Sequence, residues 1–249
     1  MRISQSVKRA FDLLLVFRES RQPMTATEIG RRLPIPQSTL SDMLSEMRKL
    51  RYLDYDAKTR RYFPSFELYW QFEWLRGPLL RPPEALKKVV DEIAAEVGET
   101  ASLMRRENIF CSLLYVRQSA RPQSIALRSN LIGAPLCQSI AGRTLLSTLT
   151  DSNIRRVIVQ TRIWAGQSIS GMTIDEGAVF RSIEKIRAVG ILDEESPRSG
   201  GINVIAALVH SRQAKNIPFV LTIVGAASRI SSRRQDIIAS LRSRAGKSY

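Results

Sequence analysis

The chain is poor in the side chains that most often do chemistry. Its 249 residues include one histidine, His210, and two distant cysteines, Cys111 and Cys137. A lone histidine leaves a Ser-His-Asp relay or a histidine metal centre almost nothing to build on. The cysteines form neither a C-x-x-C pair nor a disulfide framework, which suits a reducing compartment. Phosphate-cradling loops of the G-x-x-x-x-G-K-[ST] and G-x-G-x-x-G types are missing. Long apolar runs are missing too. FDLLLVF near the N-terminus is short and broken by Asp12, so it reads as neither signal peptide nor membrane span, and no stretch reaches the ~20 apolar residues a spanning helix needs. No internal repeat is visible. These absences lead us to expect a cytoplasmic protein that is not an enzyme and has no metal, cofactor or membrane partner.

Acidic residues are also scarce: 23 Asp and Glu face 38 Lys and Arg, for a net charge of +15. Such a surplus favours a polyanionic partner, nucleic acid or an anionic membrane surface. It is not confined to one region, since residues 1–83 hold 15 basic against 9 acidic side chains and the remainder 23 against 14. Charge therefore points to a class of partner and not to a surface. The one acidic cluster, Asp193, Glu194 and Glu195, could hold a cation or act as an acid/base pair, but such a run is more often a solvated loop. Gly200 and Gly201 beside it mark a turn.

Against these absences, the stretch Pro36 to Leu50, PQSTLSDMLSEMRKL, stands out. Leu40, Met43, Leu44 and Met47 have the i, i+3, i+4, i+7 spacing of one buried helical face. The opposite face carries Ser38, Asp42, Ser45 and Lys49 with Ser41 beside them, short polar groups that leave room for close approach. Upstream, Thr25 and Glu28 have capping-box spacing and Ala26, Ile29 and Leu33 make an inner stripe, so a shorter helix and a proline-bounded turn precede the main one. A first helix, Ser6 to Glu19, is expected to face Val7, Phe11, Leu14 and Leu15 inward. After Leu50, Tyr52–Tyr55 and Tyr62–Phe63 flank a turn at Asp56-Ala57-Lys58, a hairpin with Lys58, Arg60 and Arg61 on its tip and return. Three helices followed by a basic hairpin describe a winged helix-turn-helix. Gln37, Ser38, Thr39, Ser41 and Asp42 are the expected base contacts, and Lys58, Arg60 and Arg61 the expected phosphate contacts to double-stranded DNA.

Phe66, Tyr69, Trp70, Phe72 and Trp74 crowd more than one face of the next helix, which reads as a dimer seam in preference to a linker helix buried between the chain's own domains. GPLLRPP, residues 77–83, is the best boundary. The divisions are then 1–65 for the DNA-binding domain, 66–83 for a linker helix and proline-rich break, and 84–249 for a second domain. That domain is expected to hold helices at 85–97, 141–149, 153–160, 175–189 (with a Thr173/Glu176 capping box) and 233–244. Strands are expected at 101–105, 110–117, 123–127, 191–193, 203–209 and 219–225. Strands bunched at both ends with helices between them predict an α+β fold on a mixed or antiparallel sheet, large enough to enclose a small-molecule pocket.

The sequence resembles the IclR-type transcriptional regulators over nearly its whole length. The resemblance rests on TATEIGRRLPIPQSTLSDML, RRYFPSFEL, GETASLM, IGAPLCQSIAGRTLLS, IRAVGILDEE, GGINVIAALV and LTIVGAASRI, in that order. It implies a winged helix-turn-helix domain, a linker helix that pairs in a homodimer or homotetramer on a palindromic operator, and a GAF-like domain binding a small-molecule effector. By position it implies a pocket at Ala126, Ala134, Ile140, Ala141, Glu194, Ile202, Val204, Thr222 and Val224. Val204 and Val224 stand where relatives often carry small polar groups or cysteine, which leaves Thr222 as the polar anchor. With Glu194 nearby, this favours a neutral or more apolar effector, or a pocket filled by its own side chains. Asp42 stands where the family usually has a basic residue, so the usual operator sequence is not implied. The rival reading from another class is a small-molecule enzyme whose winged domain serves only for assembly.

Overall fold

The computed structural model describes residues 4–73, 81–121, 124–125, 127, 133–168, 173–195, 200–214 and 217–249. The chain divides into two compact units, Met1–Arg81 and Pro82–Tyr249. In the first, helices α1 (Gln5–Ser20), α2 (Ala26–Gly30) and α3 (Gln37–Lys49) pack with strands β1 (Met24–Thr25), β2 (Leu53–Asp56) and β3 (Arg61–Pro64), and helix α4 (Phe66–Glu73) follows. The strands form one antiparallel sheet ordered β1-β3-β2. The core gathers Leu13, Val16 and Phe17 of α1, Ile29 of α2, and Leu40, Leu44 and Met47 of α3, with Met43 packed partly against it. The apolar stripe of α3 is thus the one its spacing predicts.

The first helix is rotated from expectation. Leu13, Val16 and Phe17 are buried, whereas Val7 and Phe11 are 56 % and 59 % exposed. The helix is apolar on two sides, and periodicity alone cannot say which side meets its own core. Ala26 is likewise exposed, because α2 ends at Gly30 after little more than one turn. Its capping box is formed as its spacing predicts. Thr25 accepts the Glu28 N–H at 3.3 Å, and Glu28 accepts the Thr25 N–H at 2.8 Å.

The second unit is a three-layer sandwich around a six-stranded antiparallel sheet ordered β6-β5-β4-β9-β8-β7. These strands are β4 (Thr100–Glu107), β5 (Phe110–Arg117), β6 (Ala134–Pro135), β7 (Ile191–Glu195), β8 (Ile202–Val209) and β9 (Phe219–Ala226). Alternation sorts the side chains between two cores. Ile205, Ala207 and Val209 of β8 and Leu221 and Ile223 of β9 pack with α5 (Glu84–Val97), α9 (Ala227–Ser232) and α10 (Arg234–Arg242). Ala206 of β8 and Val220 of β9 pack on the other face with α6 (Ile140–Leu146), α7 (Asp151–Ser168) and α8 (Glu176–Val189). The expected α+β class on an antiparallel sheet is what forms. A 3-10 turn, Leu136–Gln138, leads into α6. Gly142 is required there, since a Cβ would lie 2.3 Å from the Leu136 carbonyl oxygen.

Three local expectations change. The cap of α8 is Asp175, which accepts the Ala178 N–H at 3.0 Å, and not Thr173. The helix expected at 153–160 runs from Asp151 to Ser168, and α9 was not anticipated. The strand expected at 123–127 falls partly on residues outside those described, and Ser124, Ile125 and Leu127 are not in a strand.

Candidate nucleic-acid interface and ligand site

On α3, Gln37, Ser38, Ser41 and Asp42 are exposed and Thr39 is half-buried, so the expected base-reading residues form one accessible strip on the helix's N-terminal half. Asp42 has no ion-pair partner among the described residues. The wing is built by Asp56, which accepts the Lys58 N–H at 2.9 Å and the Thr59 hydroxyl at 2.7 Å. Those two bonds, the hydroxyl first, hold the Asp56 carboxyl below its ordinary range. Arg60 takes a left-handed φ of 54°, closing the turn with its side chain and that of Lys58 exposed.

Arg61 departs from the expected role. Its guanidinium donates to the Pro23 carbonyl at 2.7 Å and to Glu28 at 3.1 and 3.3 Å, while its backbone pairs with Thr25. It pins β3 to the α2 capping box, so its guanidinium is already engaged within the unit. The Glu28 carboxyl is lowered mainly by the Thr25 N–H, with Arg61 adding to the effect. Sequence reasoning missed Arg48. Its guanidinium lies 4.5 Å above the Tyr55 ring, which itself packs 4.7 Å from Tyr62, so a cation on the last turn of α3 is held beside the wing. Arg48 sits i+4 from Leu44, and only the fold of the hairpin brings Tyr55 under it.

In the second unit the expected pocket residues that are described fall on one face of the sheet. Register aligns Glu194, Val204, Val224 and Thr100 across β7, β8, β9 and β4. The neighbouring row is Leu192, Ala206, Thr222 and Ser102. Ile202 lies two residues before Val204 on the same face, and Ile140 and Ala141 open α6, which packs on it. Ala134 sits on the edge strand β6, paired with Cys111. Ala126 lies outside the described residues. Thr222 is fully buried, and its hydroxyl is 2.6 Å from that of Ser102, either of which can donate. One O–H of the pair therefore remains to be placed elsewhere. Ser102 was missed, although its alternation with Ala101 and Leu103 puts it on this face.

Glu194 also departs from expectation. Arg143 of α6 donates to it at 3.3 Å, the Ser182 hydroxyl at 3.0 Å, and Lys185 lies 3.6 Å away. With Arg143 14 % and Glu194 19 % exposed, this is a largely desolvated ion pair. Its charge is offset, which removes the repulsion that had argued against a carboxylate effector. The other two acids are engaged separately: Asp193 accepts from Arg234 at 2.5 Å, and Glu195 accepts the Gly201 N–H at 2.7 Å. Among the described residues no group of three or more metal-ligating side chains forms. Burial pushes the Cys111 thiol up to about 12 and raises that of Cys137, so both stay protonated. No helix of the described residues is long and apolar enough to cross a membrane.

A winged helix-turn-helix followed by a sheet domain with a candidate ligand face is the build of a transcriptional regulator with a DNA-binding and an effector domain. Profiles of the bacterial transcriptional regulator IclR C-terminal domain and of the IclR helix-turn-helix domain match residues 83–248 and 6–57. The chain belongs to the IclR family of transcriptional regulators. It is 24 % identical over 231 residues to the Pca regulon regulatory protein of Pseudomonas putida, covering 90 % of this chain and 76 % of that one. In fold it is similar to the crystal structure of an IclR transcriptional regulator from Alicyclobacillus acidocaldarius (22 % identity, 97 % and 96 % of the two chains, TM-score 0.65). The Thermotoga maritima IclR is similar at 16 % identity, over 96 % and 94 % of the chains, with a TM-score of 0.64.

The contrast between the two wing arginines is testable by anisotropy titration of DNA at several salt concentrations. Arg60→Ala should weaken binding to all sequences and reduce the salt slope by about 1. Arg61→Ala should leave that slope near wild type and instead lower the thermal midpoint slightly, as suits a half-exposed, solvent-screened pair. The reverse pattern would return Arg61 to the phosphate-contact role.

Proposed function

We propose that the protein is a homodimeric or homotetrameric, ligand-responsive regulator that works in the cytoplasm. The N-terminal half of its α3 would read a palindromic operator, and its C-terminal domain would bind a small organic effector that alters operator affinity. The observation that carries the DNA-binding part is the strip Gln37, Ser38, Ser41 and Asp42, left polar and uncovered while the opposite face of α3 is locked into the core. Asp42 suits a cytosine N4 donor better than a phosphate. On this reading the three segments are a DNA-binding domain, a linker helix from Phe66 and an effector domain from residue 84. An enzyme with an assembly-only winged domain finds no support, since the relatives are transcriptional regulators and both thiols are buried.

The dimer reading is supported by α4. Phe66, Tyr69, Trp70 and Phe72 are 77 %, 42 %, 63 % and 46 % exposed, and with Phe63 several of them line a groove of about 620 Å³. Trp74, also named in the seam, lies outside the described residues. Aromatic surface of this density on one short helix is partner surface.

For the effector, the shared face of Ile140, Ala141, Ile202, Val204, Thr222 and Val224 supports a compact, largely apolar molecule with one polar group for the Ser102–Thr222 hydroxyl pair. The offset charge of Glu194 leaves an organic acid equally acceptable. A second reading, a regulator whose site is filled by its own side chains, draws on the burial of Val224 and Thr222.

Selection of bound fragments from the source genome should recover a palindrome bound far more tightly than random DNA. Uniform, salt-sensitive binding to every fragment would defeat the regulator reading. Trp70→Glu should shift the assembly toward smaller species in sedimentation velocity and weaken palindrome binding by tenfold or more; an unchanged assembly would remove α4 from the seam. Thermal melting with a panel of small aromatic and organic acids should give a hit that stabilises by about 2.7 kcal/mol at a hundred times its Kd, and Thr222→Val should abolish it. Silence across the panel would favour the self-filled site.

A further inference from the structure

The far end of the same sheet holds a second feature. Register aligns Arg105, Phe219 and Val209 across β4, β9 and β8, and this row lies five residues along β9 from Val224, about 17 Å at the rise of a strand. A cavity of about 560 Å³ opens there, lined by Arg105, Arg106, Thr148 and His210, with Leu149 and Ile217 as its apolar wall. That volume is within the range of small-molecule sites. None of these residues belongs to the effector row or to the DNA-binding unit.

The chemistry of the lining is one-sided. Arg105 is committed to Glu107, with Nε and Nη2 at 3.2 and 2.7 Å from one carboxylate oxygen, and Glu107 also accepts the Ser112 hydroxyl at 2.7 Å. The Glu107 carboxylate beside the lining is therefore already neutralised. The Arg106 side chain is exposed and makes no ion pair or hydrogen bond among the described residues. The Thr148 hydroxyl donates to the Leu145 carbonyl at 2.8 Å and offers no proton to a ligand. His210 is held in place by its backbone: its N–H donates to Lys247 O at 3.0 Å, and its carbonyl accepts the Tyr249 N–H at 3.0 Å. A free guanidinium and an imidazole thus stand at a pocket with an apolar wall. Its turn side, Thr148 and Leu149, follows α6, the helix whose first residues are Ile140 and Ala141.

We propose that this cavity is a second small-molecule site, one that takes a compact organic anion: a carboxylate on an apolar or aromatic body. Arg106 pairs with the carboxylate, and Leu149 and Ile217 pack against the body. A neutral molecule of the same shape lacks the ion pair and binds less well.

Because His210 is the chain's only histidine, its imidazole Cε1–H signal in the NMR spectrum of tag-free full-length protein reports this cavity alone. Titration with benzoate at fixed pH and ionic strength should move that signal saturably, with a millimolar midpoint, and benzyl alcohol should require at least fivefold more. Arg106→Gln should weaken the benzoate response at least fivefold at unchanged melting temperature. Ile217→Asp, which sets a carboxylate against the ligand's own, should abolish it. The proposal is overturned by no response, by an equal response to benzyl alcohol, or by a benzoate response that survives both substitutions. A response that vanishes in Thr222→Val would assign it to the sheet face and would also overturn the proposal.

Discussion

Burial on both faces of one antiparallel sheet is the constraint on which the C-terminal domain depends. Strands β8 and β9 have helices above and below, so their apolar residues from Val204 to Val209 and from Phe219 to Leu221 alternate between one core and the other. An unpaired buried hydroxyl costs about 1–3 kcal/mol, and on the face toward α6 and α8 the buried polar side chains find partners: Ser102 with Thr222, and Glu194 with Arg143 and Ser182. The candidate ligand face is the side that holds these groups. The face under α5 and α10 carries an extensive apolar cluster.

The N-terminal unit applies the same rule with a different outcome. Its core is small, so each helix of the DNA-binding motif keeps one face free. Holding α3 at a defined angle falls to a few polar contacts at the rim. Glu28 serves two of them, closing the α2 cap and receiving Arg61. Arg48 over Tyr55 ties the end of α3 to the hairpin. Positive charge in this unit is thus divided between side chains that fix the geometry and side chains left exposed to meet a polyanion.

Much of this was legible in the sequence because it is local. The spacing of Leu40, Leu44 and Met47 predicts both the helix and its buried face, Thr25 and Glu28 predict their cap, and the apolar stripe from Leu86 to Val97 predicts α5. What escaped was pairwise and distant. Nothing near Arg61 in the chain announces Glu28, and nothing near Glu194 announces Arg143 or Ser182, yet those partners decide what each charge can do. Helix α1 failed for another reason. With apolar residues on two faces, the period predicts a helix without choosing between Phe17 and Phe11, and the choice was made by the space the other two helices left.

Glu194 shows how much a missing partner changes an argument about function. Read as an isolated carboxylate, it disfavours an anionic effector, because two like charges in a partly desolvated site repel strongly. Once Arg143 and Lys185 stand 3.3 and 3.6 Å away, the cluster carries no excess negative charge. On the proposed effector reading, discrimination would then pass to what remains on the face: the spare O–H of the Ser102–Thr222 pair and the shape set by Val204, Val224 and Ile140. A ligand that accepts that hydrogen bond gains a partner already held in place, and one that cannot must leave a buried donor unpaired. That asymmetry selects more sharply than the difference of a methylene group in an apolar wall.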